Sequence, residues 1–241
     1  MRRARRLASI VVVAALGLGG LAACRSEPSV AAYLGDQKVT EDQVTQIYDG
    51  AVAGASPTPA QQGAAPTASP EPPVSRQQVV DLLVSLDLGR KVAAEQQVQP
   101  AQAITADQVA AELGVPAGSQ YARDYAEWVN LSQGIFAKIG SSVGTPSDDQ
   151  LQGLYQALVK VNAIDAGLTL AQIKEAFGGG EFVAAAYQLT GMLEKQAAAS
   201  DTTVNPRYLP LAAPLVVSAG GRAIFYDLPY LRDGDAVTDR A

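Results

Sequence analysis

Apolar residues recur along the middle of this chain at intervals of three and four, the spacing of helices that bury one side. Val44, Ile47, Tyr48 and Ala51 form a first stripe, and Val79, Leu82, Leu83 and Leu86 a second. A short third stripe (Val109, Leu113) ends at Gly114 with Pro116 just beyond, as helix stops do. A fourth helix is predicted from about Ser119 to Ile139, with Tyr121, Tyr125, Trp128, Leu131 and Ile135 on one side. Leu151, Leu154, Tyr155 and Leu158 mark a fifth. A sixth runs from Leu170 to Phe177 and stops at Gly178-Gly179-Gly180, and a seventh carries Phe182, Ala186, Leu189 and Leu193.

The helix starts share a signature: Ser or Thr, two residues, Gln, then an apolar residue. It occurs at Thr40–Val44, Ser75–Val79, Thr105–Val109, Ser147–Leu151 and Thr169–Ile173. The hydroxyl can accept the amide three residues on while Gln reaches back to the cap amide, a capping box. Val39, Val74, Ile104 and Leu168 precede four of these caps and can staple onto the apolar residue that follows Gln. The spacing of the five starts is irregular, so they are not a solenoid repeat.

Both ends of the folded part read as β. Ala31–Leu34 and Gln37–Val39 flank Gly35-Asp36, where Gly supplies the positive φ of a tight hairpin turn. "LVVSAGGRAIFYDLP" has two β-rich runs about Ala219-Gly220-Gly221, and "VNPRYLPL" before it reads as extended. Two-stranded hairpins are marginal alone, so both ends are expected to pair into one small sheet against the helices. Residues 53–73, rich in Pro, Ala, Ser and Thr, carry no large apolar group and form a mobile loop or an O-glycosylated stretch. The polar tail after Leu231 is expected to fray.

The first residues change the picture. Four arginines, an apolar run from Leu7 to Leu16 and a Gly-rich stretch precede Leu21-Ala22-Ala23-Cys24, the parts of a secretory signal rather than a membrane-spanning helix. Leu21, Ala22 and Ala23 before Cys24 resemble the lipobox of bacterial lipoproteins, in which that cysteine is lipidated and becomes the mature N-terminus. Acyl chains such as palmitate on Cys24 would hold the protein on the extracytoplasmic face of the cell membrane. With a single cysteine the chain can form no internal disulfide. Removing residues 1–23 takes four arginines from 18 basic residues and none of the 24 acidic ones, leaving a net charge of −10. That balance disfavours nucleic acid as a partner. No histidine is present, which removes Ser-His-Asp and Cys-His nucleophiles and histidine-held metals.

Candidate chemistry is sparse. Tyr121, Tyr125 and Trp128 can line a client-binding groove, although their helical spacing favours plain packing in the core. Glu41-Asp42 and Asp148-Asp149 suit the first turns of helices as dipole partners better than they suit a metal. Arg207 can grip a carboxylate bidentately, or hold the returning chain through backbone contacts. Asn130-Leu131-Ser132 is a glycosylation triplet only by chance, since it lies inside a helix. Neither a cofactor nor a metal is expected.

From Ala31 to about Gly140 the chain resembles the N-terminal domain of SurA-type chaperones, of the SurA and trigger-factor class. The strand pair in "AAYLGDQKVTEDQV", the helices "RQQVVDLLVSLDLGRKVAAEQ" and "ITADQVAAEL", and the helix in "YARDYAEWVNLSQGIFAKI" follow that order. "VNPRY" (Val204–Tyr208) is similar to the end of SurA-like lipoproteins of high-GC Gram-positive bacteria, although Leu209 replaces their usual glycine. Ser141 to Thr203 does not resemble the parvulin isomerase domain of SurA.

The resemblance implies a mostly α fold with a small β-sheet formed by N- and C-terminal segments. It sets out a signal peptide (1–23), a SurA-like domain (24–140), a helical segment (141–203), a returning C-terminal segment (204–230) and a tail (231–241). It further implies a lipid-anchored chaperone that binds unfolded or nascent secreted polypeptides and catalyses nothing. The alternative is a dedicated cell-surface interaction module with one partner.

Overall fold

The computed structural model describes residues 27–55, 72–140, 143–177, 180–219 and 222–232. All five Ser/Thr-x-x-Gln signatures start helices. Thr40 accepts the Gln43 amide at 3.2 Å ahead of α1 (Glu41–Val52). Ser75, Thr105, Ser147 and Thr169 complete capping boxes ahead of α2 (Arg76–Gln96), α3 (Ala106–Leu113), α5 (Asp148–Lys160) and α6 (Leu170–Ala176). Ser119 caps α4 (Gln120–Ile139) without a Gln partner, and α7 spans Glu181–Ala199. The chain is mostly helical, with small antiparallel sheets from its two ends.

The β-structure differs from expectation in one respect. Strands β1 (Val30–Leu34) and β2 (Gln37–Thr40) form the predicted hairpin, with Gly35 at φ 71 in its turn. Only three residues of the returning chain join it: β3 (Thr202–Val204) pairs antiparallel with β1, Ala32 facing Val204. The later hairpin, β4 (Leu211–Ala219) and β5 (Arg222–Leu231), is a separate two-stranded sheet. Helix side chains take the polar groups that a third strand would have used. The Asp81 carboxyl of α2 accepts the Ala212 amide at 3.0 Å, and the Trp128 indole N–H of α4 donates to the Pro214 carbonyl.

The base of that hairpin lies inside the molecule, between helices: Tyr125 of α4 meets Phe225 edge to face at 5.6 Å, β4 packs on α2, and β5 packs on α5 and α7. Burial on two sides explains why β4 reads as an unbroken apolar run, Leu211 to Val217, instead of alternating. Helix α2 is central too. Val80, Val84 and Leu88 are buried along with the predicted Val79, Leu82 and Leu86, so it is covered nearly all round. No helix among the described residues is long and apolar enough to cross a membrane. Leu21, Ala22, Ala23 and Cys24, residues 56–71 of the Pro-rich loop, Gly178-Gly179 and the tail from 233 lie outside the described residues.

Candidate functional site

Tyr121, Tyr125 and Trp128 do not line an open groove. They are 2 %, 3 % and 0 % exposed, because Trp128 packs on α2 at Gly89 and the chain's own β4–β5 hairpin covers the stripe, with Phe225 against Tyr125 and the Pro214 carbonyl on the Trp128 indole. Leu211, Leu215, Tyr226, Leu228, Tyr230 and Leu231 of that hairpin are also buried. Six such side chains contribute roughly 9–18 kcal/mol of burial, as much as the whole stability of a typical domain. The hairpin base is therefore fixed core, and it does not lift to admit a ligand.

The interface beneath it holds polar groups that the helical stripe conceals. Asp81, buried on α2, takes hydrogen bonds from the Ala212 amide and from Gln77 at 3.0 Å each. Burial pushes its carboxyl up to about 8, the Ala212 hydrogen bond opposing and Asp227 adding to the rise. Asp227 is raised as well, chiefly by burial, with Lys160 opposing. The Tyr121 and Tyr230 hydroxyls are raised by burial, and Ser85 donates to the Tyr230 hydroxyl at 3.3 Å.

An open apolar groove lies farther along, where the hairpin tip and α4 diverge, with a volume of about 450 Å³. Val129, Gln133 and Phe136 of α4 form one wall, and Val216, Val217 and Ser218 of β4 the other. Ala103 and Ile104 close one side, and Phe182, Ala185 and Ala186 of α7 the next. Among the described residues that line it there is no Asp, Glu, Lys or Arg. Phe182 is 37 % exposed and meets Phe177 edge to face at 5.6 Å, so an aromatic pair stands at its lip.

Two residues place the wall at Ala103 and Ile104. Asn130 accepts their amides at 2.7 and 3.1 Å and donates to the Ile104 carbonyl at 2.9 Å, which gives this mid-helix Asn a structural role. Gly134, one turn on, lets the connector cross α4: a Cβ there would sit 2.3 Å from the Gln99 carbonyl oxygen. Helical spacing in the sequence groups Phe182 with the buried stripe of α7 and gives no sign of the groove. That stripe runs instead through Val183, Ala186, Leu189 and Leu193, leaving Phe182 beside it. A stripe shifted by one residue was the available signal.

The carboxylates are structural. Glu41 receives the Tyr208 hydroxyl at 2.9 Å and forms ion pairs with Arg207 and, at 3.8 Å, Arg76. Arg207 thus grips a carboxylate, that of its own chain, and fastens the returning segment to α1. Asp148 pairs with Lys174 at 2.7 Å. Among the described residues no group of three or more His, Cys, Asp or Glu could hold a metal. Comparison with protein-family profiles, curated proteins and solved structures finds no significant match.

Proposed function

We propose that this protein is a lipid-anchored, extracytoplasmic binding protein that shields apolar segments of unfolded secreted polypeptides and does not catalyse prolyl isomerisation. The observation that carries this reading is the apolar groove with Phe182 at its lip, since its described lining is mostly apolar side chains that can bury apolar client surface. Support also comes from Leu21-Ala22-Ala23-Cys24, from the order of elements resembling the SurA N-terminal domain, and from a chain without histidine. Binding without a nucleotide cycle suits weak contacts that release on dilution.

The test is aggregation of a chemically unfolded model protein in the presence of the purified protein. Slower aggregation, lost on Phe182→Ser, is expected, with prolyl isomerisation of a test peptide left at its uncatalysed rate. No slowing at several-fold excess would contradict the reading.

A further inference from the structure

We propose that the groove takes its occupant as an added β-strand, an extended uncharged polypeptide segment pairing with the outer edge of β4 at Val216 and Ser218. This rests on the groove being the client site and specifies how the client is held.

In an antiparallel pair, successive residues point their N–H and C=O alternately toward the partner strand and away from it. From Ala212 to Ala219 the register with β5 is regular, Ala212 facing Pro229 and Ala219 facing Arg222. The Ala212 amide leaves the hairpin to reach Asp81, and the Pro214 carbonyl leaves it to receive the Trp128 indole N–H. Even-numbered residues of β4 therefore point outward, and Pro214 sits where a proline has no ladder bond to lose. By the same alternation Val216 and Ser218 point their amides and carbonyls outward, about 7 Å apart.

The edge is closed at Ala212 and Pro214 and open beyond. Among the described residues no hydrogen bond reaches the outward groups of Val216 and Ser218. Val216, Val217 and Ser218 border the groove in succession. Side chains of neighbouring strand residues point to opposite faces, so three in a row set the strand's edge along the cleft. Trp128 closes the edge at Pro214, and Val129, Gln133 and Phe136, farther along the same helix, form the opposite wall. An open strand edge is a template for another extended chain. A ligand without amides would leave it unpaired, and the absence of charged groups among the described lining residues selects against charged side chains.

The probe is a short fluorescent peptide alternating valine and serine, with a counterpart N-methylated at every second residue so that side chains stay and strand pairing is lost. The plain peptide is expected to bind the purified protein. N-methylation, or Val216→Pro in the protein, should each weaken binding by about tenfold or more. Val216→Pro is checked by its thermal melt, and the methylated peptide gives the same answer on the unaltered chain. Equal binding of both peptides would overturn strand addition while leaving the groove as client site. Binding of neither would overturn both. A dimer abolished by Val216→Pro, without peptide binding, would assign the edge to a second copy of this chain and also overturn the proposal.

Discussion

Asp81 sets an unusual pH dependence at the scale of a single residue. Its carboxyl titrates near 8 in the fold and near 4 in the unfolded chain, because burial beside Asp227 disfavours the charge. For an acid whose pKa rises on folding, stability is intact below the unfolded value and falls as pH climbs toward the folded one. Asp227 acts in the same direction, Lys160 against both, and the Tyr121 and Tyr230 hydroxyls facing them stay neutral. Stability should therefore drop between pH 5 and pH 8, by an amount on the order of a few kcal/mol. Asp81→Asn keeps an oxygen to accept the Ala212 amide and should flatten that drop. Urea unfolding of both chains at the two pH values measures this, and an equal drop in both would refute the assignment. None of it was legible in the sequence, where Asp81 and Ser85 read as ordinary polar positions of an amphipathic helix. Their partners lie about 130 residues away, beyond the reach of periodicity.

Elements were legible where the signal is local. Capping boxes and apolar spacing act within one or two turns, and each predicted helix is present with ends shifted by at most a few residues. Strand pairing depends on distant segments. Sequence placed β-structure at both ends, but which strand meets which depended on side chains such as Asp81 and Trp128 taking the edge of β4. Helical spacing sets Tyr121, Tyr125 and Trp128 on one face and favours their burial, as found, but the hairpin that covers that face comes from too far along the chain for spacing to show. Because the β4–β5 hairpin fills the core, truncation after Leu209 should abolish the cooperative thermal transition seen by circular dichroism. A truncated chain that still melts sharply would show the hairpin to be accessory.

At the scale of the whole molecule, the returning chain is fastened twice, by β3 on β1 and by Arg207 and Tyr208 on Glu41, before the hairpin enters between the helices. These ties fix the base of the hairpin, and beyond it the outer part of β4 borders the apolar groove with α4 and α7. The proposed function requires that groove to meet unfolded polypeptides outside the cytoplasm. The most direct measurement is photocrosslinking in intact cells from a benzophenone amino acid placed at Phe182, with the same group at Trp128 as the buried control. Crosslinks from position 182 to many different secreted polypeptides, and none from position 128, are predicted. A single stoichiometric partner at position 182, or no crosslinked polypeptide at all, would contradict it.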